Sequence, residues 1–323
     1  MTSGRVPNNV RTEFMGESKG APVGQVSQEI SRRTAQPTCV ACGGCEVSGR
    51  VADGSYSYEI CAACGQASLR PLPSPDDALS LYGVGYFEAG ANAGYPDYGG
   101  DEPLHRKNAR RRLAIVRRSG FAPPGMIIDV GCAYGYFLDE ARQLGWRVIG
   151  VEASDWARRE ARDHFGIDVM TTLEEVADAH AGEADVVSFF GVLEHVPRPD
   201  ELLAVARRCL RPGGLVVIET WDRGSAVARL MGAHWQVVTP PSVIHLFERE
   251  SLRRLLDRGG FDVRSIRPAI KLVSPRAALS ILRTKFPRAS RALDRLVDWR
   301  ALGRVAIPYA PGDLVTITAG ARA

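Results

Sequence analysis

Four cysteines near the amino terminus are spaced like the ligands of one metal ion. Cys39 and Cys42 form a first pair, Cys61 and Cys64 form a second, and 18 residues separate the pairs. Two such pairs supply four soft thiolates for a tetrahedral zinc ion, and a full thiolate shell leaves no open position for a substrate. The spacing therefore predicts a zinc ribbon with one structural zinc. Cys45 is an alternative to Cys42 as a ligand, and disulfides or free buried thiols are the other interpretation.

A glycine turn after the apolar run 126–130 has the residues of a cofactor site. Gly131 lets the backbone turn and lets a ligand approach it closely, and Gly135 opens the next helix, whose N–H groups suit an anion. Glu152 ends the following apolar run, where a carboxylate can accept hydrogen bonds from both hydroxyls of a ribose. The two glycines are four residues apart, unlike the three glycines of a dinucleotide site. An adenosine-bearing cofactor is favoured over a tight turn with a surface glutamate.

Two histidines are candidates for a general base, because an unperturbed imidazole titrates near neutral pH. His195 is the first candidate, since it follows the carboxyl end of the fourth predicted strand, where ligands of such sheets bind. Its neighbour Glu194 could orient it or attract a cationic substrate. The alternative is that both residues cap the following helix or only pack near the cofactor. His105, His164 and His180 are predicted to be surface residues.

The second candidate base, His245, lies in a long segment after the fifth predicted strand. Trp221, Asp222 and Trp235 belong to the same segment. Aromatic rings with a few carboxylates suit a sugar or an aminosugar, by stacking and by attraction of a cation. These residues are therefore expected to bind the substrate. A small apolar cap on the sheet is the alternative.

Strands and helices alternate over most of the chain after residue 126, which predicts parallel crossover units with helices on both faces of one sheet. The fold class is therefore α/β, with a doubly wound, mostly parallel, Rossmann-like sheet. Helices are predicted between these strands, and a basic helix over 104–118 precedes them. The seven predicted strands span 126–130, 147–152, 168–170, 184–189, 214–219, 261–266 and 314–319.

The sequence also predicts how the chain is divided. Residues 1–36 have no apolar period and are expected to be a disordered tail. The zinc ribbon is expected over 37–72, and a segment of helix and loop that could act as a lid over 73–122. The remaining domain, 123–323, contains a helical insertion at about 272–310. An amphipathic helix there is expected to cover the pocket or to form the face of a homodimer, rather than to lie on a membrane.

Composition excludes several classes of protein. Hydrophobic residues make up 45% and charged residues 24% of the 323 residues, which excludes a disordered or fibrous protein. The formal net charge of +4 is too small to demand a nucleic-acid partner. No apolar run reaches the length of about 18 residues that a membrane span needs. The amino terminus lacks the apolar stretch of a secretory signal, so we expect a cytoplasmic protein with reduced thiols.

Taken in order, these motifs resemble those of class I S-adenosylmethionine-dependent methyltransferases over roughly residues 70–268. The matching segments are 129–135, Glu152, 184–196 and 211–214. The resemblance implies an enzyme that uses S-adenosylmethionine. Gly131 and Gly135 would pass under the methionine portion of that cofactor, with Asp129 holding their loop, and Glu152 would bind the ribose. Ala133 departs from the family pattern, which often has a third glycine there.

The resemblance also implies residues around the rest of the cofactor. Met170 and Thr171 would flank the adenine, although the family usually has an acid at this position. Phe190 would lie beside the sulfonium and its methyl group. The zinc ribbon, the following Pro/Ser-rich connector and the Tyr/Phe loop resemble one branch of the family, in which Tyr86 and Phe87 would cover the cofactor. Packing of these two rings on the domain surface is the alternative.

Many members of that branch act on sugars or other natural products. We therefore expect N-methylation of an aminosugar or aminoglycoside in antibiotic biosynthesis, with O- or C-methylation of a nucleotide-linked sugar as the alternative. Some ribosomal RNA base methyltransferases also carry a zinc ribbon, but here Arg50 stands between the cysteine pairs beside Glu46, Asp53 and Glu59. Nucleic acid is therefore not the expected partner. A module that holds the cofactor without turnover is a third interpretation.

Overall fold

The computed structural model describes residues 38–53, 56–285 and 305–322. The predicted tail, 1–36, lies outside the described residues, and so do residues 286–304 of the predicted helical insertion. In chain order the strands are β1 Val47–Asp53, β2 Tyr56–Cys61, β3 Ala67–Arg70, β4 Met126–Val130, β5 Arg147–Val151, β6 Val169–Met170, β7 Ala184–Phe190, β8 Leu210–Trp221, β9 His245–Leu246, β10 Phe261–Pro268, β11 Lys271–Val273, β12 Ile307–Tyr309 and β13 Leu314–Ala321.

Helices connect these strands on both faces of the main sheet. In chain order the α-helices are α1 Pro75–Leu79, α2 Val84–Glu88, α3 Glu102–Arg118, α4 Tyr136–Gln143, α5 Asp155–Phe165, α6 Leu173–Ala179, α7 Pro199–Cys209, α8 Ala226–Met231, α9 Arg249–Arg258 and α10 Pro275–Lys285. Short 3-10 turns cover Ala91–Ala93, Gly99–Asp101, Leu193–His195 and Gly232–His234. Within the described residues, no helix combines the length and the apolar character that a bilayer crossing requires.

The main sheet has seven strands in the order β10-β13-β8-β7-β4-β5-β6. The five strands from β8 to β6 run parallel, and β13 and β10 are antiparallel to their neighbours. This confirms the predicted doubly wound, mostly parallel fold. The chain proceeds outward from β4 to β5 and β6, and then returns to β7 on the other side of β4. In such sheets the crevice at this reversal, at the carboxyl ends of the strands, is where ligands bind.

The helix α3 shows why the sequence forms these layers. Its apolar residues recur every three to five positions, which places Leu104, Ala109, Leu113 and Val116 on one buried face. Burying one leucine in this way contributes about 1.5–3 kcal/mol relative to leaving it exposed. Basic residues in the last turn suit the negative end of the helix dipole. One face of α3 is thereby fixed against the sheet, and the other carries the arginines considered below.

Three local features differ from what the residue pattern predicts. Residues 83–101 are rich in glycine and tyrosine without an apolar period, which predicts a loop, but they contain α2 and two 3-10 turns, closed by bonds such as Ala89 N to Gly85 O. Ser251 before Leu252, Leu255 and Leu256 predicts a capped helix from Ser251, but α9 begins at Arg249, since Glu248 is its N-cap and Ser251 Oγ accepts from the Glu248 N–H at 2.9 Å. The strand β8 begins four residues before the predicted start at 214, at Leu210.

The cysteine-bearing segment is part of the same body as the main sheet. Its strands β1, β2 and β3 form an antiparallel sheet whose fourth member is β9, through the pairs Ala67 with Leu246 and Ser68 with His245. The buried residues Cys39, Cys61 and Cys64 belong to the same hydrophobic cluster as Phe247 and Leu252. The cysteine-bearing segment is therefore joined to the larger domain by backbone pairing and by a shared core.

Candidate active site

The glycine turn after β4 has a geometry that only glycine satisfies at two positions. Gly131 has a φ of 72°, and a Cβ there would lie 2.6 Å from Val192 Cγ2. Gly135 has a φ of 82° and caps α4, with Ile167 Cδ1 at 3.1 Å from an added Cβ. Ala133, where the family often has glycine, also adopts a positive φ, of 49°. The turn therefore requires glycine at both positions, because the positive φ and the neighbouring side chains disfavour a Cβ there.

Glu152 is fixed against this turn. Its carboxylate is buried, Oε2 accepts from the Ala133 N–H at 3.0 Å, and Oε1 accepts from the Ser154 N–H at 2.9 Å. Burial raises the pKa of Glu152, and the backbone hydrogen bonds oppose that shift. Each carboxylate oxygen has two lone pairs, so one acceptor site on each oxygen remains for a ligand hydroxyl. The arrangement suits the two hydroxyls of a ribose.

Asp129 lies behind the turn at the end of β4. Its Oδ1 accepts from Ser188 Oγ at 2.6 Å, so it joins β4 to β7 at the crevice rather than bonding to the loop itself. Burial raises the pKa of Asp129 to about 7, against the opposing effects of the Ser188 hydrogen bond and the Arg112 charge. The carboxyl group therefore fixes the spacing of the two strands on either side of the crevice.

Phe190 ends β7 beside an arginine that the sequence analysis did not single out. The Arg112 guanidinium lies 4.1 Å from the centroid of the Phe190 ring. Its Nε donates to Glu219 Oε2 at 2.9 Å, and Glu219 is the β8 partner of Phe190 in the sheet. An arginine–carboxylate pair thus backs the ring that is predicted to lie beside the methyl group. The sequence predicts the basic helix that contains Arg112. It does not predict the pairing with Glu219, because Glu219 lies 107 residues later in the chain.

Met170 and Thr171 lie at the end of β6, next to Glu152. The Met170 carbonyl accepts from the Glu152 N–H at 3.0 Å, and the Thr171 N–H donates to Glu175 Oε2 at 3.1 Å. A carboxylate, Glu175, therefore stands near the place where the family usually has an acid. The sequence analysis missed it because it lies four residues further on, in α6.

The aromatic rings of residues 82–98 pack over the carboxyl edge. Tyr86 makes an edge-to-face contact with Tyr82 at 4.8 Å, and Phe87 is buried against Tyr134 at 5.5 Å. Burial raises the pKa of Tyr86, and the charges of Glu194 and Glu152 raise it further. Tyr86 is thus close enough to both carboxylates to feel their charge. Phe87 is a core residue of this aromatic cluster, so its covering role stays a prediction.

His195 is held in one tautomer. Its Nδ1 lies 2.6 Å from the Ser242 carbonyl oxygen, which can only accept a hydrogen bond, so Nδ1 carries the proton. The neutral ring then has an unprotonated Nε2 that can receive a proton. The ring is half-buried and meets the Tyr82 ring edge-to-face at 5.9 Å. This is the orientation that a general base requires.

Glu194 points a buried carboxylate into the same region. Its Oε2 accepts from Thr220 Oγ1 at 2.9 Å, whereas Oε1 is enclosed and has no hydrogen-bond partner among the described residues. Burial raises the pKa of Glu194, and the hydrogen bond from Thr220 opposes that shift. A buried acceptor without a partner is costly, and a donor from a bound ligand would satisfy it.

The other predicted substrate residues have partners within the protein. Trp235 is buried and its Nε1 donates to Asp313 Oδ2 at 2.8 Å. Asp222 is buried and pairs with Arg249 Nε at 2.7 Å. Trp221 is half-buried at the end of β8. The structure therefore does not bring Trp235 and Asp222 to the crevice as free groups.

His245 does not have a free nitrogen for base catalysis. Its Nε2 is 3.2 Å from the Pro197 carbonyl oxygen, so Nε2 carries the proton, and Nδ1 accepts from Ser68 Oγ at 2.9 Å. The residue is almost fully enclosed within β9, and burial lowers its pKa to about 4. The geometry thus argues against the predicted catalytic role. His245 instead connects β9 to β3 and to the segment after His195.

Acidification is expected to destabilise the protein through His245. The native ring resists protonation, while the unfolded ring titrates near 6.5, so stability is complete above pH 6.5 and falls as the pH drops toward 4. At pH 5 the loss is about 2 kcal/mol in the free energy of unfolding. The charge of Arg70 also favours the neutral ring, and that of Asp200 opposes it. Urea unfolding at pH 7.5 and pH 5 measures the loss.

The variant His245→Asn removes this titration and should lose less stability between the two pH values than the wild type. His164→Asn is the matched control, because His164 is exposed on α5. Equal pH dependence in the wild type and His245→Asn would show that this ring does not contribute.

His105 is not the surface residue that the sequence predicts. Its ring stacks on Tyr98 at 4.0 Å between centroids, and its Nε2 is enclosed without a partner among the described residues. Burial lowers the pKa of His105 to about 3, and the charge of Lys271 adds to this effect. The sequence analysis missed this environment because it comes from the aromatic segment 95–98 folding back onto α3. His164, by contrast, is exposed.

The four predicted metal ligands converge. The Sγ atoms of Cys39, Cys42, Cys61 and Cys64 all lie within 4.8 Å of one another, with 3.6 Å for the pairs Cys39–Cys64 and Cys42–Cys61. A tetrahedron with Zn–S bonds of about 2.3 Å has edges of about 3.8 Å, so the four sulfurs fit a zinc ion. Cys45 is exposed and outside the cluster, which excludes it as the replacement for Cys42 in this arrangement.

Comparison with known proteins identifies the family. A family model described as a methyltransferase domain matches residues 102–266, about half of the chain. The chain belongs to this methyltransferase family. The match confirms the predicted enzyme class, an S-adenosylmethionine-dependent methyltransferase, and it spans the glycine turn, Glu152, Phe190 and His195.

Named relatives of this methyltransferase are similar over much of their length. The ubiquinone biosynthesis O-methyltransferase of Escherichia coli K12 is 31% identical over 193 residues, which covers 58% of this chain and 75% of that protein. The corresponding enzyme of Cronobacter sakazakii is 31% identical over 52% of this chain and 72% of its own. A solved S-adenosylmethionine-dependent methyltransferase from Archaeoglobus fulgidus has a TM-score of 0.48 and 19% identity, over 72% of this chain and 97% of its own.

Proposed function

We propose that this methyltransferase acts on an amine of a small aminosugar-containing natural product, with His195 as general base. The observation that carries the proposal is the orientation of His195, whose Nδ1–H is engaged by the Ser242 carbonyl and whose Nε2 is left unprotonated. An amine or hydroxyl acceptor must lose a proton when it is methylated, and a neutral imidazole within hydrogen-bond reach can take it.

The cofactor site is assigned from the same edge of the sheet. The cofactor supplies an electrophilic methyl group on a sulfonium centre that departs as a thioether. Glu152 would bind the ribose with its remaining lone pairs, and the backbone of the turn from Gly131 to Gly135 would lie under the methionine portion. Phe190 would border the methyl group. A glycine turn that opens a helix and a fixed carboxylate beside it are the features that fit such a cofactor.

Glu194 favours an amine over a neutral acceptor. Its Oε1 is enclosed without a partner among the described residues, and the charge of Glu194 raises the pKa of the nearby Tyr86. An ammonium group would satisfy this acceptor and would be attracted by the carboxylate. His195 would then take the proton that the ammonium must lose before its nitrogen can attack.

Oxygen methylation is the second candidate. It is favoured by the two ubiquinone biosynthesis O-methyltransferases among the relatives at 31% identity. A hydroxyl would use the same Nε2 of His195, and it would need no carboxylate for charge attraction. Methylation of an amine therefore depends on the Glu194 carboxylate, whereas methylation of a hydroxyl does not.

We also propose a structural zinc ion and a cytoplasmic location. The four clustered sulfurs would hold one structural zinc ion, which would brace the strands β1 to β3. A reducing compartment such as the cytoplasm would keep these thiols available for the metal.

The proposal is tested by an acceptor panel with the full chain and labelled S-adenosylmethionine. We expect methyl transfer to aminosugars, and a lower rate or none with the matched sugars in which a hydroxyl replaces the amine. Glu194→Gln should raise the KM for the amine acceptor at least tenfold, because an uncharged amide no longer attracts the ammonium. Transfer to hydroxyl acceptors alone, unaffected by Glu194→Gln, would favour the second candidate and overturn the first.

A further inference from the structure

A cleft separate from the cysteine cluster lies between α3 and the antiparallel edge of the main sheet. Its volume is about 790 Å³, within the range typical of small-molecule sites. The helix contributes residues three or four positions apart, from Asn108 to Arg118, which span about 15 Å along the helix axis. The other wall comes from β10, β11 and β13. The cleft is therefore long enough to hold an extended molecule.

The charges that line this cleft are unbalanced. Arg111, Arg118, Arg267 and Lys271 line it, and within the described part of the chain none of them has a carboxylate at ion-pair distance. The lining includes one acid, Glu219, which Arg112 already engages.

The contrast with the rest of α3 is informative. Arg106 pairs with Glu102, Asp139 and Glu140, and Arg110 pairs with Glu140. The cations of α3 that face away from the cleft thus pair with acids of α3 and of the neighbouring α4, and those that line the cleft have no such partner among the described residues. Unpaired arginines along one wall are a place for an anion.

The inner end of the cleft borders the proposed methyl-transfer site. Glu219 is the sheet partner of Phe190, and Lys271 Nζ lies 5.6 Å from the centroid of the Tyr95 ring. The Asn108 amide fixes β11 against α3 by bonding both the N–H and the carbonyl of Leu272 at 2.9 Å. The adjacent Lys271 is thereby held where the cleft meets the aromatic cluster.

A buried hydroxyl adds a second, independent sign of a ligand. Thr316 is 5% exposed, lines the cleft, and its Oγ1 has no hydrogen-bond partner among the described residues. A hydroxyl can donate to a phosphate oxygen, as arginine can, whereas no aromatic ring is present among the described lining residues. The lining thus suits an anionic group rather than a stacked base.

We propose that this cleft binds the phosphate-bearing end of the acceptor, so that the substrate class is a phosphorylated small molecule. The inference rests on the proposed function, because the inner end of the cleft is a substrate end only if methyl transfer occurs beside Phe190. Arg118 and Arg267 would bind the phosphate, since a guanidinium matches phosphate oxygens in a bidentate manner. Lys271 would neutralise charge nearer to the transferred methyl group.

Calorimetry with inorganic pyrophosphate tests the cleft without any turnover. The full-length wild type is expected to bind pyrophosphate at low salt, and R118Q/R267Q should bind it about tenfold more weakly or worse. The matched control is R117Q/R253Q, which removes two exposed arginines outside the cleft lining and should bind within about twofold of the wild type. No heat at millimolar pyrophosphate, or equal losses in both double variants, would overturn the proposal.

A second measurement separates this inference from the proposed function. Methyl transfer is compared for an aminosugar and for the same aminosugar carrying a phosphate. R118Q/R267Q should raise the KM for the phosphorylated acceptor and leave that for the plain aminosugar unchanged. Pyrophosphate binding at the cleft without transfer to either amine would uphold the anion site and reject the proposed acceptor. Transfer to both amines with identical KM values in the wild type would uphold the proposed acceptor and reject the anion site.

Discussion

Replacing His195 with alanine is expected to lower kcat by about 10²–10⁴-fold, the usual contribution of a general base. The reason is the hydrogen bond from Nδ1–H to the Ser242 carbonyl, which leaves Nε2 as the proton acceptor. His195→Gln should be equally slow, because an amide of similar length cannot take up the proton. Single-turnover kinetics with a competent amine acceptor measures the loss, and calorimetry of the cofactor product should give an unchanged Kd.

His164→Ala provides the control for this experiment, since its ring is exposed on α5 and should be irrelevant to the rate. A normal rate in the His195→Ala variant would show that His195 is not the general base. The acceptor proton would then have to pass directly to solvent.

Removal of zinc is expected to have the largest effect on stability. Cys39→Ser should reduce the metal content from about one zinc ion per chain to a small fraction, and should destabilise the fold by several kcal/mol, because binding and folding of such sites are coupled. The effect should not stay within the cysteine-bearing segment, since Cys39, Cys61 and Cys64 pack in one cluster with Phe247 and Leu252. Elemental analysis and thermal unfolding measure the two losses.

Cys45→Ser is the matched control, because Cys45 is exposed and lies outside the cluster. It should retain both the metal and the melting temperature. A chelator strong enough to strip zinc should reproduce the Cys39→Ser phenotype in the wild type. Metal-free wild-type protein with full stability would contradict a structural zinc site, and loss of metal from Cys45→Ser alone would point to a different ligand set.

The fold was largely predictable from the sequence because its signals are local. The run 126–130 is apolar except for Asp129 and becomes β4, buried along its whole length, and all seven predicted strands occur in the main sheet. The glycine turn was equally predictable, because the positive φ at Gly131 and Gly135 favours glycine at these two positions. The cysteine spacing predicted the cluster for the same reason: two short pairs each impose a tight local geometry.

The contacts that decide chemistry were less predictable, because they join distant parts of the chain. The tautomer of His195 depends on a carbonyl 47 residues later, and the enclosure of His245 depends on Ser68, 177 residues earlier. The sequence makes both histidines candidate bases, with His195 first and His245 second. The folded chain separates them further, because both nitrogens of His245 are engaged, whereas only Nδ1 of His195 is.

The strand β9 has a consequence for a zinc ion bound by the four clustered cysteines. It pairs with β3 of the cysteine-bearing sheet, and the residues just before it contact the segment around His195, since the Ile244 N–H donates to the Glu194 carbonyl at 2.7 Å and Ser242 accepts from His195. With zinc at the cluster and His195 as the proposed base, a chain starved of zinc would lose part of the support that orients its proton acceptor. Catalytic output would then report on cellular metal supply, although no metal atom would touch the reacting molecules.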